Sequence, residues 1–327
     1  MIITQTPFRM SFFGGGTDFP DFYKEHGGAV ISTTFDKYCY VNVRHLPRFF
    51  DYSTELSYSR IERVTDVEQI NHPAIREAMK FLDMHEIRLT YEADLPARSG
   101  LGTSSILAGA CVKAIADFTG VMMDEGVLFD RVLYMEQLMS TGGGWQDQAG
   151  GIVPGIKLLT SKPGAHQALQ VEQVQIGKET KEELNRRFAV IYTGQRRLAR
   201  NLLREVVGNY IGGRKESVEA LGEMKQTAVE MKQALEAGNV DRLAELFNRH
   251  WELSLKLDAG ATNLCIDQIF LTIEDLIDGK FIAGAGGGGF LQVIMKKGVS
   301  AAQLNERLEE VFQGTGAAVW DSELYFG

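Results

Sequence analysis

The glycines of this chain gather in four clusters that are spread along its 327 residues. The clusters are Gly14–Gly16, Gly100–Gly102, Gly142–Gly144 with Gly150 and Gly151, and Gly284–Gly289. Glycine has no side chain, so it permits backbone angles and close approaches that other residues cannot make. Four such clusters in one chain indicate backbone that wraps around a ligand.

The composition is ordinary for a soluble globular protein, with 44% apolar and 24% charged residues. The length is enough for one large or two medium domains, each with its own core. No apolar run reaches the roughly 18 residues that a membrane span needs, and the segment Met1–Gln5 does not look like the start of a signal peptide.

The cysteines and the charge restrict the class of partner. The three cysteines, Cys39, Cys111 and Cys265, are odd in number and widely spaced, so they predict neither a disulfide framework nor a zinc site. A reducing cytoplasm fits this usage best. The net charge of −9 argues against nucleic acid or an anionic membrane as partner. We expect a small-molecule partner, and the sequence leaves a homodimer open.

Periodicity predicts strands followed by helices in the first half of the chain and a helix-rich second half. Two neighbouring strands, Ala29–Thr34 and Lys37–Arg44, are expected to pair as a hairpin. The predicted helices are His72–Met84, Ser104–Phe118, Asp124–Met139 with Asp124 as N-cap, Arg196–Val207, Lys215–Ala237, Asp241–Lys256, Asn263–Ile277 and Ala301–Phe312. We place a domain boundary near residue 185, giving domains 1–185 and 186–327.

The second glycine cluster lies where a strand ends and a helix begins, in the segment Leu95–Ser105. Glycines let backbone N–H groups face a phosphate, and the helix N-terminus adds free donors and a positive dipole end. The segment has no lysine for a Walker A loop, and Ser105 replaces the third glycine of a dinucleotide fingerprint. By itself, a glycine-rich turn with a Ser/Thr helix cap explains it equally well.

Three ordered motifs resemble those of the GHMP kinases. Pro96 to Ser105 resembles the second motif of that family, Pro7 to Asp18 the first, and Gly284 to Gly289 the third. The resemblance extends over nearly the whole chain. It implies an α+β, two-domain GHMP kinase fold, with an N-terminal ribosomal-protein-S5-like domain and a C-terminal ferredoxin-like α/β domain.

The resemblance also implies ATP and Mg²⁺ as cofactors. The residues expected to bind ATP are Pro96, Arg98, Ser99, Gly100, Leu101, Gly102, Thr103, Ser104, Ser105, Gly286 and Gly287. Mg²⁺ prefers a few protein oxygens together with phosphate oxygens and waters. Ser104 and Glu136, which lies eleven residues before Asp147, are the expected ligands.

Phosphoryl transfer to a hydroxyl needs a base and a group that offsets developing negative charge. Asp147, in the segment Gly142 to Gln148, matches the catalytic aspartate of the family, and Arg9 matches its neighbouring cation. The local alternatives are a turn aspartate and a strand-end surface arginine. The residues expected to bind the substrate are Gly15, Gly16, Thr17, Asp18, Gly143, Asp147 and Arg196.

The wording of the motifs resembles most the branch of the family that acts on D-glycero-D-manno-heptose 7-phosphate. This implies phosphorylation of the anomeric C1 hydroxyl to give a 1,7-bisphosphate for the synthesis of nucleotide-activated heptose. A phosphorylated substrate needs a basic pocket, and there are two candidate groups, which solvated helix or strand faces would also explain. They are Arg196, Arg200 and Arg204, and Lys37, Arg44 and Arg48.

Two other functions stay open. Fucokinases share much of the motif wording, so L-fucose is an alternative substrate. A non-catalytic GHMP-fold sensor of sugar or nucleotide is a second alternative, although Asp147, Glu136 and Ser104 are all present. A nicotinamide oxidoreductase is excluded because the dinucleotide fingerprint is incomplete.

Overall fold

Ten α-helices and twelve strands form the described part of the chain. The computed structural model describes residues 1–95, 99, 101–138, 144–164, 169–195, 208, 210, 215–284 and 286–326, and only the backbone of residues 125 and 136–138. The helices are α1 Pro20–His26, α2 Pro73–Phe81, α3 Thr103–Thr119, α4 Glu125–Leu138, α5 Gln146–Ile152, α6 Lys178–Arg187, α7 Lys215–Glu236, α8 Val240–Leu257, α9 Leu264–Thr272 and α10 Ala301–Val311. The strands are β1 Ile2–Phe13, β2 Gly28–His45, β3 Thr54–Ser57, β4 Ile61–Val64, β5 Ile87–Ala93, β6 Lys157–Ser161, β7 Leu169–Gln173, β8 Phe188–Thr193, β9 Ile277–Ile282, β10 Phe290–Met295, β11 Ala317–Trp320 and β12 Leu324–Tyr325.

The long periodic helices are confirmed. Helices α2, α3, α4, α7, α8 and α10 lie within a few residues of their predicted bounds. Asp124 caps α4 as expected, because its Oδ1 accepts a hydrogen bond from the Val127 N–H at 2.8 Å. Helix α9 ends at Thr272, earlier than predicted, and a short 3₁₀ turn follows it at Glu274–Leu276. The predicted helix at 196–207 lies outside the described residues.

The predicted hairpin within residues 29–44 is wrong. One continuous strand, β2, runs from Gly28 to His45. Its first part pairs antiparallel with β6, and its second part pairs antiparallel with β5. The junction Phe35–Asp36 contains no glycine, proline or asparagine that would favour a tight turn, so the strand continues through it.

The chain forms two compact units that are each discontinuous in sequence. The first consists of Met1–Phe8, Asp36–Ala97 and Gly102–Val153. The second consists of Arg9–Phe35, Arg98–Leu101 and Pro154–Gly327. The boundary near residue 185 stays a prediction.

In the first unit, strands pair in the order β4-β3-β5-β2, and β3 and β5 are parallel. Helices α2, α3, α4 and α5 pack against one another beside them. Helix α3 is apolar on nearly all sides, as a helix enclosed by other elements must be: its residues from Ser105 to Ala116 are buried apart from Lys113. This burial fixes the helix that follows the second glycine motif.

In the second unit, an antiparallel sheet has the strand order β11-β8-β10-β9. Helix α8 packs on β9 and on α7. Its Phe247 ring lies 5.9 Å from that of Phe12 and 6.3 Å from that of Phe281, so the core is aromatic. The mixture of helices with two sheets confirms the predicted α+β class. None of the described helices combines the length and apolar character that a membrane crossing requires.

Candidate active site

The first motif forms a turn that is locked onto β2. Gly14 has φ of +91°, and a Cβ there would lie 2.1 Å from the carbonyl oxygen of Ala29, so only glycine fits. The Thr17 hydroxyl lies 2.8 Å from Gly14 O and 2.9 Å from Ala29 O, and accepts a hydrogen bond from the Ala29 N–H at 3.1 Å. Thr17 therefore holds the turn in place, and its role in substrate binding stays a prediction.

Asp18 closes the same turn. Its Oδ1 accepts a hydrogen bond from the Gly16 N–H at 3.0 Å, and the residue is fully buried. Sequence reasoning missed a neighbour from α1, Tyr23: its burial and the nearby Asp18 carboxylate raise the pKa of the Tyr23 phenol. The carboxylate of Asp18 is thus held at a fixed place beside the glycine turn.

Arg9 is buried on β1, in the second unit, with 3% of its surface exposed. Sequence reasoning missed a second buried cation in the same unit, Lys157 on β6, which has none of its surface exposed. The Lys157 Nζ donates to the Gly155 carbonyl oxygen at 3.0 Å. Burial, and then the charge of Arg9, hold the pKa of Lys157 well below its ordinary value. The signal in the sequence is a lysine among the apolar residues Ile156 to Leu159.

The second motif opens α3 as predicted. Gly102 takes the left-handed conformation, with φ 71° and ψ 22°, and no described side chain caps the helix. The Ile106 N–H bonds to Gly102 O at 3.0 Å, so the N–H groups of the three preceding residues have no partner within the helix. Those residues are Thr103, half-buried, Ser104, exposed, and Ser105, buried. Pro96, Arg98 and Gly100 lie outside the described residues.

The helices that carry Ser104, Glu136 and Asp147 pack together in the first unit. Helix α5 lies on α3 so closely that a Cβ at Gly151 would be 2.5 Å from Cγ1 of Ile106. Helix α4 contacts both. Asp147 stands in the first turn of α5, half-exposed, at the positive end of the helix dipole. Glu136 lies on α4 with its side chain outside the description, and Gly143 lies outside the described residues.

The third motif is braced inside the second unit. The Gly287 N–H donates to Ala261 O at 2.9 Å, and Asn263 Nδ2 donates to Gly287 O at 3.2 Å. A Cβ at Gly289 would lie 2.9 Å from the carbonyl oxygen of Ser99, which is the part of the second motif that belongs to this unit. The structure therefore brings Ser99 and the third motif together.

Neither predicted basic group is established as a phosphate pocket. Lys37 Nζ lies 3.0 Å from Asp36 Oδ2, and Arg48 pairs with Glu86 at 2.9 Å, so both charges are already compensated. Arg196, Arg200 and Arg204 lie outside the described residues. The expectation that Arg196 binds substrate stays a prediction.

Comparison with known proteins agrees with this arrangement. The GHMP kinases N terminal domain profile matches residues 69–155, which include α2 to α5. A bifunctional fucokinase/GDP-fucose pyrophosphorylase from Arabidopsis thaliana is 31% identical over 94% of this chain. The chain spans 31% of the length of that relative. A D-glycero-alpha-D-manno-heptose 7-phosphate kinase from Campylobacter jejuni is 26% identical over 89% of this chain and 88% of its own length.

Among solved structures, a D-glycero-D-manno-heptose 1-phosphate kinase from Bacteroides thetaiotaomicron superposes with a TM-score of 0.79. The match covers 100% of this chain and 97% of that chain at 17% identity, so it reports on the fold alone. Residues 69–155 are thus a GHMP kinase N-terminal domain, and the chain has the GHMP kinase fold.

Proposed function

We propose that this chain is an ATP-dependent sugar kinase that phosphorylates the anomeric C1 hydroxyl of D-glycero-D-manno-heptose 7-phosphate to the 1,7-bisphosphate. One observation carries the kinase reaction. Among the residues that the structure describes, no side chain caps the N-terminus of α3, where Ser104 is exposed, and α3 packs against α5, whose first turn carries Asp147. A phosphate-binding helix end and an acid on an adjoining helix are the parts that phosphoryl transfer needs.

The start of α3 fits the phosphates of ATP. Free N–H groups and the positive dipole end favour an anion there, and the left-handed Gly102 places no side chain over the helix end. Thr103 and Ser105 add hydroxyl groups. The other residues assigned to ATP are Pro96, Arg98, Ser99, Gly100, Leu101, Gly286 and Gly287.

Mg²⁺ is assigned to Ser104 and Glu136. The Ser104 side chain is exposed at the start of α3, and α4 carries Glu136 in a helix that contacts α3. A hard cation bound by two protein oxygens and by phosphate oxygens neutralises negative charge on the triphosphate.

The chemical step transfers one phosphoryl group. Asp147 accepts the proton of the sugar hydroxyl, whose oxygen forms a bond to the terminal phosphorus while the bond to the leaving oxygen of ADP breaks. Arg9 offsets charge on the transferred group. Asp18, with Gly15, Gly16 and Thr17, orients the sugar hydroxyls, because the turn fixes the position of its carboxylate.

L-fucose is the second candidate acceptor. The fucokinase relative is more similar to this chain, at 31% identity, than the heptose 7-phosphate kinase relative, at 26%. The heptose assignment is supported by the wording of the motifs and by the 88% of the heptose kinase's length that the chain covers. The two candidate acceptors differ in their need for Arg196. The heptose 7-phosphate carries a phosphate that Arg196 is proposed to bind, whereas L-fucose carries none.

The purified chain incubated with ATP, Mg²⁺ and a panel of sugars and sugar phosphates tests the proposal. Phosphorus and carbon NMR of the product identifies both the acceptor and the phosphorylated carbon. A new phosphate on C1 of the heptose 7-phosphate supports the proposal, and one on L-fucose alone supports the second candidate. A chain that binds sugar or nucleotide but transfers no phosphate to any acceptor contradicts both.

A further inference from the structure

Gln292 is a buried amide in a central strand whose other residues are all apolar, β10. It stands opposite Val190 on β8 and Phe281 on β9, and none of its surface is exposed. Strand β10 pairs antiparallel with β8 on one edge and with β9 on the other, so hydrogen bonds on both sides fix its backbone. A side chain on this strand can therefore hold another segment at a defined place.

The segment that Gln292 holds is the end of β1. The Gln292 Nε2 donates a hydrogen bond to the carbonyl oxygen of Ser11 at 3.0 Å. Within the described part of the chain, the Oε1 of the same amide accepts no hydrogen bond. A buried acceptor without a partner costs free energy that an apolar side chain of similar size would avoid. The bond to Ser11 is thus what the amide contributes at this position.

Aromatic packing joins the same two regions but does not fix their alignment. The ring of Phe13, at the end of β1, lies 3.9 Å from that of His250 on α8, and the His250 ring lies 4.1 Å from that of Phe281 on β9. Apolar contact of this kind is not directional, whereas a hydrogen bond depends on both distance and angle. The Gln292 bond therefore defines where the end of β1 lies on the sheet.

This bond connects the strand that leads into the first glycine motif with the strand that leaves the third. Ser11 precedes Gly14 by three residues, and Gln292 follows Gly289 by three residues. Each motif has its own support elsewhere: Thr17 bonds the first to β2, and Asn263 bonds the third to the start of α9. The local shape of each motif is thus independent of Gln292, and their relative position is what the Gln292 bond controls.

We infer that Gln292 is a positioning residue that aligns the first glycine motif with the third. The inference rests on the proposed function, in which the first motif binds the sugar and the third binds ATP. Transfer of the phosphoryl group requires the sugar oxygen and the terminal phosphorus to be about 3–3.5 Å apart, and a misplacement of about 1 Å costs on the order of 10²-fold in rate. Loss of the bond therefore lowers kcat while each motif keeps its own contacts with its substrate.

The first experiment replaces the amide by an apolar side chain of similar length. For Gln292→Met we expect kcat to fall roughly 10- to 10²-fold. The KM values for ATP and for the best acceptor of the sugar panel are expected to stay within about two-fold of the wild type, because ground-state contacts are kept. Denaturant unfolding shows that every variant is folded under the assay conditions.

Val293→Ala is the matched control for a loss of stability alone. Val293 is the next residue of β10 and is fully buried, and its side chain lies on the opposite face of the sheet from that of Gln292. The smaller side chain leaves a cavity and lowers resistance to denaturant. The control is expected to keep a normal kcat, because the bond to Ser11 stays intact.

The second experiment uses Gln292→Glu, which has the same shape but donates only when it is protonated. Burial raises the pKa of a carboxyl group above its ordinary value. We expect the ratio of the kcat of Gln292→Glu to that of the wild type to be near one at the acid end of the assay range. This ratio falls towards that of Gln292→Met as the pH rises, whereas the ratio for Gln292→Met stays constant.

The outcomes separate this inference from the proposed function. A wild-type chain that phosphorylates no acceptor contradicts the proposed function, and the inference falls with it. An active wild type together with a normal kcat in Gln292→Met overturns the inference alone. An equal loss of kcat in Val293→Ala also overturns it, because loss of stability would then explain both variants. If Gln292→Met does not fold, a kcat ratio of Gln292→Glu that is independent of pH overturns the inference.

Discussion

Two buried cations in the second unit have pKa values that are shifted in opposite directions. Arg187 is 3% exposed and bonds to Glu183 at 2.9 Å, Asp241 at 2.6 Å and Asp278 at 2.8 Å. Burial lowers the pKa of Arg187, but the hydrogen bonds to Asp241 and Glu183 outweigh burial and raise it. For Lys157, burial and then the charge of Arg9 lower the pKa.

Arg187 is a charge that holds the fold, whereas Arg9 and Asp147 are charges that are proposed to act in the candidate site. Arg187 also donates to Met295 O at 2.8 Å, so it links α6, α8, β9 and β10. Its removal takes away interactions of the folded state. The charges of the candidate site are proposed to interact with a ligand instead, and their removal is expected to lower turnover while stability is kept or improved.

The largest expected effect is on turnover, at Asp147. Asp147→Asn removes the proposed base, and loss of a general base lowers the rate on the order of 10²–10⁴-fold. The half-exposed position in the first turn of α5 predicts little change in the free energy of unfolding. Steady-state kinetics and denaturant unfolding of the purified variant measure both quantities.

Asp130→Asn is the matched control, because Asp130 is an exposed aspartate on α4 in the same unit. It is expected to keep normal turnover. Near-normal turnover of Asp147→Asn would remove Asp147 from the proposed role. A large loss of stability in that variant would show that Asp147, like Arg187, stabilises the fold.

The next effect is on stability, at Arg187. Arg187→Met leaves three carboxylates without their shared partner, and breaking a buried ion pair costs about 3–5 kcal/mol. The loss of unfolding free energy expected here is about 3 kcal/mol, because the carboxylates are partly exposed and water can solvate them. Denaturant unfolding measures the loss, and turnover per folded molecule is expected to stay normal.

Arg186→Met serves as the control for the preceding substitution. The Arg186 side chain is 68% exposed, and its pairing with Glu182 at 4.0 Å is loose, so the change is expected to cost little. If Arg187→Met were as stable as this control, the network of three carboxylates would not hold the second unit together.

A smaller effect, on pH dependence, is expected at His250. This residue is buried between the rings of Phe13 and Phe281, with centroids 3.9 and 4.1 Å away, and burial lowers its pKa to about 3. Below pH 6.5, the ordinary value, the unfolded chain binds a proton that the folded chain does not. Stability is therefore complete above that pH and is lost as the pH falls, by about 1.4 kcal/mol per unit.

Denaturant unfolding of the wild type and of His250→Leu, at neutral pH and at about pH 4.5, checks this expectation. The wild type is expected to lose about 2–3 kcal/mol more than the variant between the two conditions. His85→Gln, at an exposed histidine, is the control and follows the wild type. Equal losses in wild type and His250→Leu would contradict a neutral buried imidazole.

The sequence predicted those features that depend on local pattern. Helix α3 was predicted at residues 104–118 and spans Thr103–Thr119, because its apolar residues and the preceding glycines leave few alternatives. The positions of the three motifs follow from the spacing of the glycines and from the resemblance to the motifs of the GHMP kinases. Asp147 was located by its motif, although the short helix α5 that carries it was not predicted.

Features that depend on distant partners could not be predicted. The sequence of residues 34–37 is compatible with either a strand or a turn. These residues form a strand because β2 pairs with β5 and β6, which lie far along the chain. The burial of Lys157 also depends on residues that are distant in the sequence. A lysine in a strand usually faces solvent, and only the folded chain shows that this one is enclosed.

The smallest expected effect is at Asn263, whose side chain both stabilises the fold and supports the candidate site. Its Oδ1 caps α9 by accepting from the Cys265 and Ile266 N–H groups, and its Nδ2 donates to Gly287 O in the third motif. Asn263→Asp keeps the cap but removes the donor, whereas Asn263→Ala removes both. We expect only the alanine variant to lose stability, by about 1 kcal/mol. Both variants are expected to raise the KM for ATP roughly five-fold, which corresponds to one lost hydrogen bond. If Asn263→Asp left the KM for ATP unchanged, Asn263 would belong with Arg187 as a residue that holds only the fold.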